Sequence, residues 1–335
     1  MNKNLKFITE PKTVSIVGCP FSGGQRRVGV DKGPIHLVNA GLVDQLKDLG
    51  WAVEFNGHHQ FEDISAEVDP PIGKLKNPRL VSKVTEAVAQ VVGDHTRRRS
   101  LPLTLGGDHS LAMGTIAGTL SGYPDACVIW VDAHADINTT ETTDSGAWYA
   151  TYTFLTGNIH GMPLAFLTSL SGSNSLSDTK DSQSVPFSWL DSVHLPPSRL
   201  AYIGLRDVDK GEKMILLEHN IAAFSMHEVD RYGIGTVVEM ALDRVNPDRS
   251  KPIHLSFDVD ALDPSVAPST GTPVRGGLTF REGHYICERL YETGLLVAVD
   301  LMEVNPSLKD AADAQQTVAV GCSLVRAALG RSDIN

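Results

Sequence analysis

The sequence predicts an α/β protein whose mostly parallel sheet is covered by helices on both faces. Eight short, uniformly apolar segments rich in β-branched residues recur along the 335-residue chain, as is typical of strands buried on both faces. Stretches with helical spacing of apolar residues separate them, which favours parallel strands joined by helices. The predicted strands are TVSIVG near Val14, WAVEF at Trp51, LPLTLG at Leu101, CVIWV at Cys127, LAYIGL at Leu200, IAAF at Ile221, IHLSF at Ile253 and LLVAV at Leu295.

The segments between the predicted strands supply helices and one clear loop. Residues 81–99, VSKVTEAVAQVVGDHTRRR, and residues 237–245, VVEMALDRV, carry apolar residues at helical spacing. The polar segment of residues 171–186, SGSNSLSDTKDSQSVP, predicts a surface loop. Neither an internal repeat nor a Pro/Ser-rich linker divides the sequence, so we expect residues 1–335 to form one domain.

Composition and charge narrow the function classes. With 41% hydrophobic and 21% charged residues, and no apolar run near the roughly 18 residues that span a bilayer, the sequence is typical of a soluble globular protein. The formal net charge of −11 disfavours nucleic acid as a partner. Four scattered cysteines predict reduced core thiols, and the first residues lack the features of a signal or transit peptide. We therefore expect a cytosolic protein without a membrane role.

Polar groups follow three of the predicted strands, at the ends where open parallel sheets bind ligands. After LPLTLG, the glycines Gly106 and Gly107 permit a tight turn that leaves His109 at the mouth of the sheet. Taken alone, this segment also fits a helix start at which Asp108 or Ser110 is the N-cap.

The second strand end, in DAHADIN, has acidic and imidazole side chains at alternate positions. If residues 131–136 are extended, Asp132, His134 and Asp136 point to the same face. An isolated DxHxD pattern also fits a solvated strand end, so it gains weight only beside the other two.

The third strand end, SFDVDALDPS, places Asp258 and Asp260 at i and i+2, followed by Asp263 before a proline. The Asp-Pro pair marks a turn, so we expect Asp263 to be structural. Together the three ends offer four aspartates and two histidines. Such a cluster could not stay ionised and unpaired without cations.

Divalent cations would resolve this charge problem. Mixed carboxylate and imidazole ligands without thiolate point to Mn²⁺, Fe²⁺, Co²⁺ or Zn²⁺ more than to Ca²⁺. A pair of such ions that shares carboxylates activates water for attack on an electrophilic carbon or phosphorus. The residues thus predict a hydrolase, with the metal ligands His109, Asp132, His134, Asp136, Asp258 and Asp260.

The motifs that hold these ligands resemble the ureohydrolase family. GGDHS, DAHADIN, GNIHG and SFDVDALDP occur in that order, and GCPFSGGQRRVGVDKGP, IGLRDVDKGE, GTPVRGGLTFREG and MEVNP are more narrowly similar to arginases. The resemblance extends from about Val14 to beyond Pro306. It implies a single three-layer α/β/α domain with a mostly parallel sheet of about eight strands.

The resemblance also implies the cofactor and the reaction. The cofactor would be two Mn²⁺ ions per subunit, each with its own histidine and aspartate and with two further aspartates bridging them. The separate pairs are His109 with Asp136 and His134 with Asp260, and the bridging residues are Asp132 and Asp258. A bridging hydroxide would attack the guanidinium carbon of L-arginine and release urea and L-ornithine, in arginine metabolism and the urea cycle. Arginases are commonly trimers, so a homotrimer is expected.

Further residues match arginase motifs that contact the substrate. His160 in GNIHG matches the proton-shuttle histidine, and an imidazole titrates in the range that suits this role. Glu303 in MEVNP matches the glutamate that pairs with the guanidinium, although a buried salt bridge also fits it. The predicted catalytic residues are His160, Asp136 and Glu303. The predicted substrate contacts are Asn138, Ser145, Asp209, Glu212, Thr272 and Glu303.

Three functions are compatible with these residues. Hydrolysis of L-arginine leads, because Asn138 and Asp209 match contacts to an α-amino acid head that agmatine lacks in part, although Asn138 also fits a turn. Agmatinase or another amidinohydrolase is the first alternative, and an inactive, metal-binding regulatory protein is the second. Residues 147–157, AWYATYTFLTG, interrupt an otherwise intact DSGNIHGMP motif, either as a real loop beside the site entrance or as residues of an imperfect gene model such as an unspliced intron. We expect this insertion to displace Ser145 relative to His160.

Overall fold

The computed structural model describes residues 5–9, 11–61, 68–143, 157–171 and 185–331. Within these ranges, all eight predicted strands are present and form one sheet in which every neighbouring pair is parallel. The strands are β1 (Thr13–Cys19), β2 (Ala52–Glu54), β3 (Leu101–Gly106), β4 (Cys127–Val131), β5 (Leu200–Leu205), β6 (Ala222–Ser225), β7 (Ile253–Asp258) and β8 (Leu296–Met302). Their order across the sheet is β2-β1-β3-β8-β7-β4-β5-β6, which confirms the predicted fold class.

Helices alternate with these strands through most of the described chain. They are α1 (Gly33–Asn39), α2 (Leu42–Asp48), α3 (Pro78–Arg97), α4 (Ala112–Gly122), α5 (Pro163–Leu167), α6 (Lys210–Glu218), α7 (Met226–Tyr232), α8 (Ile234–Val245), α9 (Phe280–Glu292) and α10 (Ala311–Ala328). The two helices predicted from apolar spacing correspond to α3 and α8, so both predictions are confirmed.

Alternate side chains of β4 enter two separate hydrophobic cores. In β4, Val128 and Trp130 pack in the core that includes residues of α3, α4 and α5. Ile129 and Val131 pack in the core that includes residues of α8, α9 and α10. Because helices cover both faces, burial of apolar surface holds the sheet from two sides. This is the three-layer α/β/α arrangement that the resemblance implied.

The strand order brings the polar strand ends together. β3, β8, β7 and β4 are consecutive in the sheet, although β5 and β6 come between β4 and β7 in the chain. The residues at or just after these four strand ends include His109, Glu303, Asp258 and Asp132. Since parallel strands end at one edge, these side chains become neighbours where α/β sheets bind their ligands.

The turn after β3 depends on a close backbone approach at Gly107, as the glycine pair predicted. A Cβ atom on Gly107 would overlap the carbonyl oxygen of Phe21. The Gly107 amide donates to the carbonyl of Cys19 at 3.0 Å, and its carbonyl accepts from the amide of Glu303 at 3.0 Å. Gly107 therefore ties the ends of β1, β3 and β8 together beside the site.

Two sequence predictions concern segments that are largely outside the described ranges. The described ranges leave out residues 172–184 of the predicted surface loop and residues 147–156 of the predicted insertion. In the part of the chain that is described, no helix is both long and apolar enough to cross a membrane.

Replacing Gly107 by alanine should destabilise the fold, because the added methyl group meets backbone rather than a movable side chain. We expect Gly107→Ala to lower the free energy of unfolding by about 3 kcal/mol, measured by denaturant unfolding. Gly161→Ala is the matched control, since a Cβ atom there has no neighbour within 4 Å. That variant should change the free energy of unfolding by less than about 1 kcal/mol. Equal losses in the two variants would contradict the role assigned to Gly107.

Candidate metal centre

Six titratable side chains from three strand ends converge at the carboxyl edge of the sheet. All are buried, with exposed fractions between 0% and 7%. They are His109, Asp132, His134, Asp136, Asp258 and Asp260. The structure thus brings together every residue that the sequence predicted as a metal ligand.

The prediction that residues 131–136 are extended is wrong. β4 ends at Val131, and Asp136 has a φ of 48°, in the left-handed region. The cause is a local turn, in which Asp132 Oδ1 accepts a hydrogen bond from the amide of His134 at 2.7 Å. The side chains therefore converge because the chain folds at the strand end, and not because of strand alternation.

The same kind of turn recurs at the other two strand ends. Asp258 Oδ1 accepts from the amide of Asp260 at 2.8 Å, and Asp108 Oδ1 accepts from the amide of Ser110 at 3.0 Å. In each case an aspartate at or just after the strand end caps an amide two residues on, and a short helical turn follows Asp108 and Asp258. The three strand ends are therefore built by one local rule.

A first ligand group surrounds the Nδ1 atom of His109. This atom lies 3.1 Å from Asp258 Oδ2, 3.3 Å from Asp132 Oδ2 and 3.6 Å from Asp136 Oδ2. One nitrogen and three carboxylate oxygens thus face a common point. His109, Asp132 and Asp258 are close enough together to hold one metal ion.

A second ligand group surrounds the Nδ1 atom of His134. It lies 3.3 Å from Asp132 Oδ1 and 3.2 Å from Asp260 Oδ2, and these three residues could also hold one ion. Asp132 takes part in both groups, with Oδ2 in the first and Oδ1 in the second. This is the geometry of a bridging carboxylate. Asp258 belongs to the first group only, and its Oδ1 atom, like that of Asp132, also accepts the amide of the residue two positions on.

Burial makes the ligand carboxyl groups costly to ionise. Burial and then the charge of Asp132 raise the pKa of Asp136, and burial is also the largest cause that raises the pKa of Asp258. Burial acts against ionisation of Asp132 too, but hydrogen bonds with His109 and His134 hold the pKa of Asp132 below its usual value. The cluster therefore keeps protons that bound cations would displace.

The donor set fits a pair of divalent cations. It consists of carboxylate oxygens and imidazole nitrogens, and none of the four buried free cysteines belongs to either ligand group. Four aspartates would formally balance two dications, which removes the cost of burying like charges. Mn²⁺, Fe²⁺, Co²⁺ and Zn²⁺ all accept such ligands.

Glu303 lies beside the first ligand group in a constrained position, with a φ of 64°. Its Oε1 atom accepts from the amide of His109 at 3.0 Å, and the side-chain amide of Gln25 donates to both carboxylate oxygens, at 3.1 and 2.8 Å. His160 Nδ1 lies 3.6 Å from Oε1. Burial works against ionisation, yet the hydrogen bond and charge of His160 hold the pKa of Glu303 below its usual value. Its carboxylate is thus kept in the form that can bind a cation.

The residues predicted to bind an amino acid head lie at the start of α6. Asn138 Nδ2 donates to Asp209 Oδ2 at 2.9 Å, and Asp209 caps α6 in a capping box with Glu212. The carboxylate of Glu212 accepts from the amide of Asp209 at 3.2 Å and from that of Ile137 at 3.3 Å. Burial, followed by the charge of Asp209, raises the pKa of Glu212 to about 8. Glu212 therefore joins the two backbone segments that carry Asn138 and Asp209.

The last two predicted substrate contacts differ in what is described. The hydroxyl of Thr272 donates to Asp260 Oδ2 at 2.8 Å, so Thr272 lies beside the second ligand group. Ser145 lies outside the described residues. Its displacement relative to His160 by the insertion therefore stays a prediction.

Sequence reasoning missed three residues that support the site. Gln25 is in the quoted GGQRR segment, and Ser256 precedes Asp258 by two positions on the same strand face, so alternation along β7 could have identified it. Arg206 donates to the backbone carbonyl of Asp260 at 2.6 Å and so fixes the turn after β7. A single arginine in a loop gives no signal for this role.

Two acidic residues have the structural roles expected for them, and a third residue lies away from the site. Asp108 is the N-cap of the turn that carries Ser110. Asp263 accepts from the amide of Ser265 at 3.0 Å, in the turn predicted from Asp-Pro. His227 is exposed at the start of α7.

Comparisons with known proteins give one consistent result. A model of the arginase family matches residues 12–330. An arginase from Glaciozyma antarctica is 57% identical over 329 residues, which cover 97% of this chain and 90% of that protein. The crystal structure of a cold-adapted arginase from this yeast is 50% identical, covers 98% of both chains and has a TM-score of 0.74. The crystal structure of arginase from Bacillus subtilis is 36% identical, covers 96% of this chain and all (100%) of that chain, and has a TM-score of 0.80.

Glu212 should make stability depend on pH. Its folded-state pKa of about 8 lies above the ordinary 4.5, so between these values the folded protein keeps a proton that the unfolded chain releases. Wild-type stability should therefore fall as the pH rises through this window. We expect Glu212→Gln, which cannot ionise, to lose this fall, so that its free energy of unfolding relative to wild type rises from about pH 5 to about pH 8. Urea unfolding at several pH values measures this, and a pH-independent difference would contradict it.

Added Mn²⁺ should stabilise the protein, because a ligand that binds only the folded state shifts unfolding by mass action. We expect Mn²⁺ to raise the Tm of the wild type, and Asp132→Asn to lose most of this rise, because Asp132 has an oxygen in each ligand group. Asp44→Asn, at an exposed position on α2, is the matched control and should keep the full rise. An undiminished Tm rise in Asp132→Asn would show that Asp132 does not bridge.

Proposed function

The chain belongs to the arginase family and is accordingly a hydrolase, and we propose that it converts L-arginine to L-ornithine and urea with two Mn²⁺ ions per subunit. The observation that carries this proposal is the pair of ligand groups that share Asp132. A guanidinium is planar and delocalised and is therefore a poor electrophile in water. Its hydrolysis requires an activated water held close to the carbon atom, which a binuclear site can supply.

The proposed ligand assignment follows the two groups. His109 and Asp136 would hold the first ion, and His134 and Asp260 would hold the second. Asp132 would serve both ions, and so would Asp258, which lies in the first group. When bound, the two cations would supply activation of water at neutral pH, because they lower its pKa. The remaining steps fall to side chains around the ligand groups.

Glu303 and His160 would act on the substrate directly. The carboxylate of Glu303, held by Gln25, would bind the guanidinium through charge-assisted hydrogen bonds and so orient it. His160, with Nδ1 at 3.6 Å from Glu303 Oε1, would give a proton to the departing amine of ornithine. Asp136, whose Oδ2 atom lies 3.6 Å from Nδ1 of His109, would contribute to catalysis as a ligand of the first ion.

Selectivity for an amino acid head would come from the start of α6. Asn138 and Asp209, joined at 2.9 Å, offer an amide donor and a carboxylate for the α-carboxylate and the α-amino group, with Ser145, Glu212 and Thr272 as further contacts. Agmatine has no carboxylate, so it would leave polar groups of this surface unpaired. Agmatinase activity is therefore the disfavoured alternative.

The wider context follows from the family and the composition. We place the protein in the cytosol, in arginine metabolism and the urea cycle, and we propose one domain over residues 1–335 that assembles as a homotrimer. The insertion at residues 147–157 is the feature that supports the second alternative, an inactive, metal-binding regulatory protein.

Urea release separates these three functions. We expect the Mn²⁺-loaded protein to release urea from L-arginine at least about 100-fold faster, in kcat/KM, than from agmatine. Asp132→Ala should abolish release, and Asp44→Ala should not. Agmatine preference would favour the agmatinase alternative. Bound manganese without urea from either compound would favour the regulatory one.

His160→Asn should lower kcat for L-arginine by about 10²- to 10⁴-fold, because a positioned proton donor contributes that much. The variant should still bind two Mn²⁺ ions, since His160 is in neither ligand group. His219→Asn, at the exposed end of α6, is the matched control and should keep the wild-type kcat. An unchanged kcat in His160→Asn would rule out the proposed proton transfer.

A further inference from the structure

A chain of buried polar side chains leads from His109 into the core between α4 and the sheet. It consists of residues with exposed fractions of 0% or 1%: Ser256, Asp300, His254, Thr115 and Thr119. Burying a polar group this deeply costs free energy of folding unless the group has a hydrogen-bond partner. Their presence next to a candidate metal ligand therefore calls for a physical reason.

Secondary structure explains why these side chains meet. His254 and Ser256 are two positions apart on β7 and share a face, and Asp300 on β8 pairs in register with Ser256. Thr115 and Thr119 are four positions apart on α4, so they lie on one side of that helix. α4 packs over β7 and β8, which places both hydroxyls against the strand residues.

Asp300 Oδ2 is the centre of the chain. It accepts from the hydroxyl of Thr115 at 2.6 Å and from that of Ser256 at 3.3 Å, and His254 Nε2 lies 2.8 Å away. The hydroxyl of Thr119 donates to the carbonyl of Thr115 at 2.9 Å. Its oxygen is therefore left to accept from His254 Nδ1, at 2.8 Å.

The contact of Ser256 with His109 determines how the imidazole ring of His109 is oriented. A histidine that binds a cation through Nδ1 carries its proton on Nε2. The Nε2 atom of His109 lies 2.9 Å from Ser256 Oγ, which can accept that proton while its own hydroxyl donates to Asp300. The indole ring of Trp130 stacks on the imidazole of His109 with centroids 3.9 Å apart and planes at 10°. Stacking thus fixes the ring plane, and the hydrogen bond fixes which nitrogen faces the ligand group.

We propose that Ser256, Asp300 and His254 are positioning residues that hold Nδ1 of His109 toward the first metal ion. This inference rests on the proposed function only in requiring that the protein binds cations at the ligand groups. Because the chain of contacts reaches the ligand groups through His109, it should control the affinity of one ion and leave the other unchanged.

Asparagine at position 300 should break the arrangement while keeping the size of the side chain. Its oxygen, facing His254, Thr115 and Ser256, would carry no formal charge and would therefore accept from these groups more weakly than the carboxylate does. Its amide nitrogen, facing the same way, would repel the donating hydroxyls of Thr115 and Ser256. Both orientations weaken the contacts around position 300, so Asp300→Asn loosens the link to His109.

The test is a Mn²⁺ titration of the full chain, with free ion followed by electron paramagnetic resonance. For Asp300→Asn and for Ser256→Ala, we expect one of the two ions to bind about 10- to 100-fold more weakly, and the other to bind within about twofold of wild type. Ser256→Ala removes the link to His109 and the hydrogen bond to Asp300 while leaving Asp300 in place, and it serves if Asp300→Asn does not fold. Thr272→Val, which removes the hydrogen bond to Asp260, should weaken the other ion instead.

Thr104→Val is the matched control for a change of buried polarity. Thr104 on β3 pairs in register with Asp300, and among the described residues its buried hydroxyl has no hydrogen-bond partner. This variant should bind both ions as the wild type does.

Unchanged affinity for both ions in Ser256→Ala, or equal weakening of both, would overturn the inference. The titration contains no arginine, so its outcome is separate from that of the urea assay. A protein that binds two ions and releases no urea would contradict the proposed function and leave the positioning role intact.

Discussion

The burial of four carboxyl groups and two imidazoles at one edge of a parallel sheet is the constraint on which the rest of the structure depends. Such a cluster is unstable as a set of bare charges, so the fold must either protonate it or supply cations. Asp132 is placed to bind cations, because its two oxygens face the two ligand groups. One of these oxygens also accepts the amide of His134, which holds the side chain in position. The surrounding elements are arranged to keep these few atoms in place.

The fold was predictable because its strands are buried on both faces, which leaves uniformly apolar runs such as CVIWV and LPLTLG. The meeting of the six predicted ligands at one edge was predictable as well, since acids and histidines follow three apolar runs and parallel strands end at the same edge. Glycine at position 107 also gave a local signal that the structure explains by the close approach to Phe21. These features are visible because each depends on residues near one another in the chain.

What the sequence could not predict depends on contacts between distant segments. The order of the strands places β8 and β7 between β3 and β4, and no pattern within a segment encodes that order. The expectation of an extended segment after Val131 was wrong because the side chain of Asp132 competes for backbone amides and bends the chain. Asp300 and His254 look like ordinary strand residues until the sheet and α4 bring them together.

Anomalous X-ray diffraction at the manganese edge, from crystals grown with Mn²⁺, would show whether Asp132 bridges two cations. We expect two anomalous peaks about 3.5 to 4 Å apart, one beside Nδ1 of His109 and one beside Nδ1 of His134, each within bonding distance of a different oxygen of Asp132. A single peak, or two peaks of which only one contacts Asp132, would contradict the bridging role.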